Sequence, residues 1–133
     1  MENELEKSLI STINHQKYAV GNDLVYLPTF EASFNELFKL KVYTADEIAY
    51  CEQFDQPILR YASTFAAKEA VYKAFKQVNQ KPIVWKNIEI QREKVAGKPM
   101  VILQVEGFIS TISLTLSHDA DYVWAIAIIE LEI

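Results

Sequence analysis

An alanine-rich run from Phe65 to Phe75, FAAKEAVYKAF, constrains the fold of this chain more than any other stretch. At about 100° per residue its apolar positions fall within one arc, which predicts a helix packed on a core. Glu69 and Lys73 lie at the edge of that arc, beside alanines that leave room for another chain or a ligand: Ala62, Ala66 and Ala70. The charged pair is either part of a binding site or an i,i+4 salt bridge on a solvated face, which would stabilise the helix by roughly 0.2–0.5 kcal/mol.

The periodicity around this run predicts an α+β fold. The long helix is expected from Ile58 to Val78, and after it the period changes to two residues, as in half-buried strands around Ile88 and Leu114. The final run from Tyr122 to Ile129 is apolar on both faces, which is typical of a central strand. Strands joined by short turns, with helices in separate runs, indicate an antiparallel sheet packed by the long central helix.

Local signals predict three further elements before the long helix. A strand is expected from Tyr18 to Tyr26, and a helix from about Thr29 to Leu40 follows, with Pro28 suited to its first turn. Thr44 and Glu47 have the spacing of a capping box, so another helix should start there.

The second half of the chain contains a predicted hairpin. Gly97-Lys98-Pro99 marks its turn, between strands expected over Trp85–Gln91 and Met100–Val105. Trp85 and Trp124 are most economically explained as core residues.

Length and composition predict a single domain over residues 18–133, since 133 residues that are 50% hydrophobic supply one core. Residues 1–17 are expected to be an extension, with a short helix suggested by the spacing of Leu5, Leu9 and Ile13. The single cysteine, Cys51, excludes an intramolecular disulfide and favours a reducing compartment. We expect a cytoplasmic protein, since neither a targeting signal nor an apolar run of membrane-spanning length is evident. A net charge of −5 argues against nucleic-acid binding.

Three motifs, in order, resemble those of the holo-acyl-carrier-protein synthase family, the small 4′-phosphopantetheinyl transferases. Phe65-Ala66-Ala67-Lys68-Glu69-Ala70-Val71-Tyr72-Lys73-Ala74 fits the central family pattern F-x-x-K-E-A-x-x-K-A. Gly21-Asn22-Asp23 resembles the family's G-x-D motif, and Leu114 to His118, LTLSH, resembles its late motif ending in Ser-His. The resemblance extends from about Tyr18 to the C-terminus.

The resemblance implies a magnesium-dependent enzyme that transfers 4′-phosphopantetheine from coenzyme A to a serine of an apo acyl carrier protein, releasing 3′,5′-ADP. Asp23 and Glu69 would hold the magnesium ion, and Lys73 would contact the phosphates. Magnesium is typically bound by one or two carboxylates with substrate phosphates and waters, which agrees with that pair. Either a water on the metal or Glu69 would take the serine proton. A role in fatty acid biosynthesis and a homotrimer with coenzyme A between subunits are also implied.

Further residues are candidates for the coenzyme A site, each with a plainer alternative. Lys68 belongs to the central motif but could be solvated, and His118 could be an ordinary loop histidine. Lys98 and Pro99 could simply form a turn. Asp23 itself could end its strand or cap the following turn.

Two departures from the family pattern concern the substrates. The expected carrier-docking helix, Thr29 to Leu40, lacks the usual basic residue, and the charges over residues 30–41 cancel. We therefore expect a dedicated carrier with a less acidic or more apolar contact face, met by Phe30, Phe34, Leu37 and Phe38, unless those aromatics are core. Lys76 to Pro82, after the central motif, contains no glycine. A divergent coenzyme-A-binding protein without transferase activity and a non-enzymatic interaction module are therefore kept as alternatives.

Overall fold

The computed structural model of the chain describes residues 16–92 and 98–131. Its elements are, in chain order, β1 (Tyr18–Tyr26), α1 (Leu27–Ser33), α2 (Glu36–Val42), α3 (Ala45–Cys51), α4 (Pro57–Val78), a 3-10 turn (Trp85–Asn87), β2 (Ile88–Arg92), β3 (Pro99–Leu103), β4 (Ser110–Asp119) and β5 (Tyr122–Leu131). The helix predicted within residues 1–14 and the turn glycine Gly97 lie outside the described residues. Among the helices described, none is long and apolar enough to cross a membrane.

The strands form two antiparallel units. Strands β1, β5 and β4 make one sheet with β5 in the centre, which confirms the prediction for the apolar C-terminal run. Strands β2 and β3 pair with Arg92 opposite Pro99, so the predicted hairpin is present, although Trp85–Asn87 forms a 3-10 turn before it. The predicted α+β class, with antiparallel strands and a long helix, is therefore confirmed.

Helix α4 packs on the three-stranded sheet through small side chains. Ala66, Ala70 and Ala74 of the helix are fully buried, as are Ala125 and Ala127 of β5. Their methyl groups allow the helix and the sheet to lie close together. The space beside the helix alanines, which the sequence suggested for a ligand or another chain, is therefore occupied by the sheet of the same chain.

Gly21 permits the close approach of β1 to this helix. A Cβ atom added to Gly21 would lie 1.9 Å from the carbonyl oxygen of Ala70 and 2.7 Å from the backbone nitrogen of Ala74. No side chain fits at such a distance. The first residue of the G-x-D motif is thus a packing requirement, and it places the third residue of that motif beside α4.

The predicted continuous helix from Thr29 to Leu40 is wrong, because α1 ends at Ser33 and α2 begins at Glu36. Asn35 is the reason for the break, since its Oδ1 accepts a hydrogen bond at 2.9 Å from the backbone nitrogen of Phe38 and caps α2. The break folds the two helices onto an aromatic cluster whose neighbouring rings have centroids 4.8–5.9 Å apart: Phe30, Phe34, Phe38, Tyr61 and Phe65.

Two other local predictions have opposite outcomes. The capping box is confirmed: Thr44 Oγ1 accepts a hydrogen bond from the Glu47 backbone nitrogen, and Glu47 Oε1 accepts one from the Thr44 nitrogen at 2.8 Å. The assignment of Trp124 to the core is wrong, since 48% of this residue is exposed on the outer face of β5. Its neighbour Ala125 takes the inner position and is fully buried.

Candidate active site

Asp23 occupies the middle of β1 and points to the helix side of the sheet. The strand alternates strictly between exposed and buried residues, and Asp23 is one of the buried ones, with 8% of its surface exposed. It stands opposite Ala125 in the central strand. The alternative that Asp23 ends the strand or caps a turn is therefore wrong. A carboxylate at a position that normally holds an apolar side chain requires a compensating partner.

Lys73 of helix α4 is that partner. Its Nζ donates to Asp23 Oδ1 at 2.9 Å and to the carbonyl oxygen of Asn22 at 3.1 Å. Among the described side chains Lys73 forms its ion pair with Asp23 and not with Glu69, so the i,i+4 salt bridge is not formed. Half of the lysine side chain remains exposed, which leaves its ammonium accessible to an anionic ligand.

Glu69 lies one turn before Lys73 and completes the charged group. Burial raises the pKa of Glu69, the neighbouring Asp23 carboxylate raises it further, and Lys73 opposes both effects. Two carboxylates and one ammonium group thus converge between β1 and α4. This arrangement has an excess of negative charge that a cation could neutralise.

A groove of about 390 Å³ runs beside the two carboxylates. Asp23 and Glu69 lie in its wall, and much of the remaining lining is aromatic: Tyr26, Phe30, Phe34, Phe38 and Phe65. The groove therefore combines an acidic end with an apolar channel. Such a site can hold a phosphate ester through a cation and contact an apolar chain along the remaining length.

Lys68, the first lysine of the central motif, does not reach this groove. It is fully buried, and its Nζ lies 2.7 Å from Glu47 Oε1, so the solvated alternative is wrong. A contact with coenzyme A would require this ion pair to open, and the structure therefore lends no support to that expectation. Sequence reasoning found Glu47 only as a cap, because its partner is 21 residues away on another helix.

The remaining predicted coenzyme A residues lie apart from the carboxylates within one chain. His118 is exposed near the end of β4 and stands opposite Val123, which in turn stands opposite Val25 of β1. It is therefore two strands from β1, a separation of about 10 Å. Lys98 is exposed, and Pro99 begins β3 in the other sheet. Among the described residues, those lining the groove do not include these three.

A second groove of about 510 Å³ lies between α2 and the segment after α4. Its lining combines apolar residues with two lysines: Leu40, Lys41, Tyr72, Ile83, Val84, Trp85 and Lys86. No acidic residue contributes to the described lining, which distinguishes this groove from the one beside Asp23.

Comparison with known proteins identifies the class to which this fold and site belong. Residues 19–127 match the model of the 4′-phosphopantetheinyl transferase superfamily. A holo-[acyl-carrier-protein] synthase from Chlorobaculum tepidum is 34% identical over 114 residues, which are 84% of this chain and 97% of that protein. The chain thus belongs to the holo-acyl-carrier-protein synthase family of phosphopantetheinyl transferase enzymes, as its motifs predicted.

Solved structures show the same fold. The holo-[acyl-carrier-protein] synthase of Neisseria meningitidis superposes with a TM-score of 0.74 at 28% identity, covering 87% of this chain and 100% of that one. The Helicobacter pylori synthase, solved in complex with coenzyme A, superposes with a TM-score of 0.69 at 25% identity, covering 84% of this chain and 99% of that one.

Proposed function

We propose that this protein transfers 4′-phosphopantetheine from coenzyme A to a serine of an apo acyl carrier protein. The observation that carries the proposal is the convergence of Asp23, Glu69 and Lys73 beside one groove, at the positions that the family motifs predicted. The relatives support it, since they bear the name holo-[acyl-carrier-protein] synthase and one was solved with coenzyme A.

The two carboxylates fit a divalent cation. Asp23 and Glu69 offer oxygen donors on neighbouring elements, and the pKa of Glu69 is raised by burial and further by the nearby Asp23 carboxylate, with Lys73 opposing both. Within the described residues no group of three or more His, Cys, Asp or Glu side chains could hold a metal. A two-carboxylate site that leaves the other positions to phosphates and waters is how Mg²⁺ is commonly bound. When bound there, the ion would neutralise phosphate charge.

In the proposed reaction, the serine oxygen of the carrier attacks the β-phosphorus of coenzyme A, the bond to the bridging oxygen breaks, and 3′,5′-ADP leaves. The chain's own groups can assist this transfer in three ways. Lys73, half exposed, offers positive charge to the phosphates. Glu69 can accept the serine proton, because Lys73 is engaged by Asp23 rather than by Glu69. The aromatic wall of the groove holds the substrate in position, and positioning and charge neutralisation together lower the barrier.

Substitution of the carboxylates tests this proposal. Asp23→Ala and Glu69→Ala should each abolish magnesium-dependent transfer, measured by mass spectrometry of the carrier, while circular dichroism shows an intact fold. Asp55→Asn is the matched control, since Asp55 is exposed in the loop before α4 and its loss should leave transfer unchanged. Wild-type turnover in either alanine variant would refute the assignment of the metal ligands.

Lys73→Ala separates phosphate binding from a structural salt bridge. The variant should bind coenzyme A more weakly and also turn over more slowly, because the charge acts on phosphate both before and during the reaction. Isothermal titration calorimetry measures the affinity. An unchanged affinity would show that Lys73 only pairs with Asp23.

A homotrimer is part of the proposal, and the outer face of the sheet supports it. Large apolar side chains are exposed there to between 40% and 60%: Tyr18, Val20, Leu24, Tyr26, Tyr122, Trp124 and Ile128. An exposed apolar patch of this kind is characteristic of an interface. Coenzyme A lying between subunits would also bring His118, Lys98 and Pro99 of one chain toward Asp23 of another. A monomer in light scattering at working concentration would contradict this part.

We further propose a dedicated carrier with a weakly acidic contact face. Lys39 is neutralised by Glu36 at 3.6 Å and by Glu52 at 3.2 Å, so only one of the two lysines of helix α2, the exposed Lys41, lacks an ion pair among the described side chains. Three of the four residues expected to meet the carrier, Phe30, Phe34 and Phe38, pack in the aromatic cluster instead. Leu37, 81% exposed, is the fourth and is free to make that contact.

Rates with a strongly acidic fatty-acid carrier test the carrier preference. A slow rate that changes little with added salt is expected, because electrostatic steering raises association rates most when the two surfaces have opposite charge. A fast rate that falls steeply with salt would contradict it.

A coenzyme-A-binding protein without transferase activity is the second candidate function. The segment after α4 favours it, because residues 79–84 form no helix or strand and contain no glycine to bring the backbone close to a pyrophosphate. Coenzyme A binding without turnover on any carrier in a panel would support this candidate. If the protein bound neither coenzyme A nor a carrier, the remaining candidate would be a non-enzymatic interaction module.

A further inference from the structure

An ion pair that is inaccessible to solvent attaches helix α4 to the rest of the protein on the side of the helix away from β1. The side chains of Lys68 and Glu47 are 0% and 1% exposed, and Lys68 Nζ lies 2.7 Å from Glu47 Oε1. Lys68 and Ala70 are two residues apart, which is about 200° around a helix. The ion pair is therefore almost opposite the alanine face on which β1 packs.

Glu47 connects three elements through its two oxygens. Oε1 accepts hydrogen bonds from Lys68 Nζ and, at 2.8 Å, from the Thr44 backbone nitrogen at the start of α3. Oε2 accepts a hydrogen bond at 2.9 Å from the backbone nitrogen of Ile90 in β2. The carboxylate thus joins the middle of α4 to α3 and to the second sheet.

Stability alone does not account for this pair. Burial lowers the pKa of Lys68, and Glu47, with a smaller contribution from Glu89, opposes that effect. Removing two charges from water is unfavourable, and well-packed apolar residues often replace a buried ion pair without loss of stability. A role in fixing geometry explains why two charges are buried beside the residue that follows, Glu69.

We propose that the Glu47–Lys68 pair is a positioning device that fixes the rotation of helix α4 and thereby the placement of Glu69 and Lys73 against Asp23. This inference rests on the proposed function, because it concerns how the same site is held. Neither Glu47 nor Lys68 touches the substrate in this account. Both act through the helix.

The geometry of a helix shows why rotation matters. Side-chain tips lie about 5–6 Å from the helix axis, so a rotation of about 20° moves a carboxylate by about 2 Å. Two carboxylates that share one cation cannot tolerate such a shift, because Mg²⁺ demands a near-ideal arrangement of oxygens. A misplacement of about 1 Å can slow an enzyme by about 10²-fold.

The face of the helix that meets β1 carries small side chains and two polar ones. Gly21 approaches the backbone of Ala70 and Ala74, while Lys73 and Gln77 donate to Asp23 and to the Val20 carbonyl oxygen. Both polar side chains are long and lie at the edge of β1, so they restrain the rotation of α4 less than a bond in the interior does. Hydrogen bonds to a carboxylate are directional and charge-assisted. The buried ion pair therefore adds a directional restraint on the side of α4 that faces away from β1.

A neutral double variant, Glu47→Gln with Lys68→Met, tests the inference. It leaves no unpaired buried charge, and the glutamine oxygen can still accept from a backbone nitrogen. Lys68→Gln is the second variant if the double variant fails to fold, since its amide can donate to Glu47. Tyr61→Phe is the matched control, because it removes a hydrogen bond from α4 to Glu52 without changing charge on the helix.

Three readouts separate positioning from a purely structural role. In the folded double variant we expect kcat to fall by about 10²-fold, the KM for coenzyme A to change little, and Mn²⁺ binding in electron paramagnetic resonance to weaken markedly. The Mn²⁺ measurement needs no turnover. Tyr61→Phe should lower the thermal midpoint while both kcat and Mn²⁺ affinity stay at wild-type values.

The outcomes also separate this inference from the proposed function. Wild-type kcat and Mn²⁺ affinity in the folded double variant would overturn the positioning role and leave the transferase proposal intact. An equal loss in Tyr61→Phe would overturn it as well, since the effect would then be general loosening of α4. If the wild-type protein neither transfers nor binds Mn²⁺, the proposed function fails and the inference falls with it.

Discussion

Substitution of Gly21 by alanine perturbs the contact on which the whole site depends. The added Cβ would lie 1.9 Å from the Ala70 carbonyl oxygen, whereas real Cβ contacts are essentially never under 3.0 Å. Helix α4 and strand β1 must therefore separate by 3.0 − 1.9 = 1.1 Å or more. Both neighbouring atoms belong to the backbone, so a side-chain rotation cannot relieve the clash.

The expected effect of Gly21→Ala follows from this separation. Overpacking of a close contact typically costs about 1–3 kcal/mol of unfolding free energy. A displacement of about 1 Å between Asp23 on β1 and Glu69 with Lys73 on α4 should lower kcat by about 10²-fold in the protein that remains folded. Urea unfolding gives the first quantity and steady-state transfer on the native fraction gives the second.

Gly107→Ala is the control for loss of stability alone. Gly107 has a φ of +76°, and a Cβ added to it would meet only the end of the flexible Lys81 side chain, whose Nζ would lie 3.8 Å away. Its left-handed backbone should cost about 1–2 kcal/mol in an alanine variant, with no effect on kcat. A Gly21→Ala protein with wild-type stability and turnover would refute the reasoning, and equal losses of kcat in both variants would also contradict it.

Three further predictions concern the cap, the thiol and the outer sheet face. Thr44→Ala should lower the unfolding free energy by about 1 kcal/mol in urea titrations, and no loss would contradict the capping box. Burial raises the pKa of Cys51 to about 11, so alkylation of the native thiol should be slow at pH 8 and faster toward pH 11; rapid labelling at pH 8 would count against this. Trp124→Lys should dissociate the proposed trimer in light scattering and lower transfer in parallel, whereas an unchanged mass would exclude Trp124 from the interface.

The long helix and the central strand could be predicted from sequence because their patterns are set within the segment itself. Helix α4 spans Pro57–Val78 against a prediction of Ile58 to Val78, and β1 matches its predicted bounds. Alternation and helical periodicity each report a face that must be buried. The capping box at Thr44 was found for the same reason, since both partners lie within one turn.

The errors arose where a distant contact overrides a local pattern. Lysine is almost never fully buried without a partner, and nothing near Lys68 in sequence indicates that Glu47 will meet it. Trp124 is apolar enough for the core, but the alternation of β5 places it on the outer face, and its buried neighbours toward α4 are the small residues Ala125 and Ala127. The break between α1 and α2 did have a local signal, the cap residue Asn35, which the hydrophobic pattern of the surrounding phenylalanines obscured.

In the candidate site too, local patterns could be read from the sequence, whereas contacts between distant segments could not. The motifs predicted Asp23, Glu69 and Lys73 as site residues, yet the pairing of Lys73 with Asp23 rather than with Glu69 depends on the approach of β1 to α4. Helical spacing favours the local partner at i,i+4. The approach itself was signalled by Gly21 and the alanines of α4, whose meaning emerges only when the two elements are placed together.

Transfer of the phosphopantetheinyl group tests the central claim most directly. The purified protein is incubated with coenzyme A, magnesium and a panel of apo carrier proteins, and intact-mass spectrometry follows each carrier, with Glu69→Ala as the inactive comparison. We predict that at least one carrier gains the mass of one phosphopantetheinyl group, only with wild-type protein and only when magnesium is present. A panel in which every carrier keeps its apo mass, although the protein binds coenzyme A, would contradict the account.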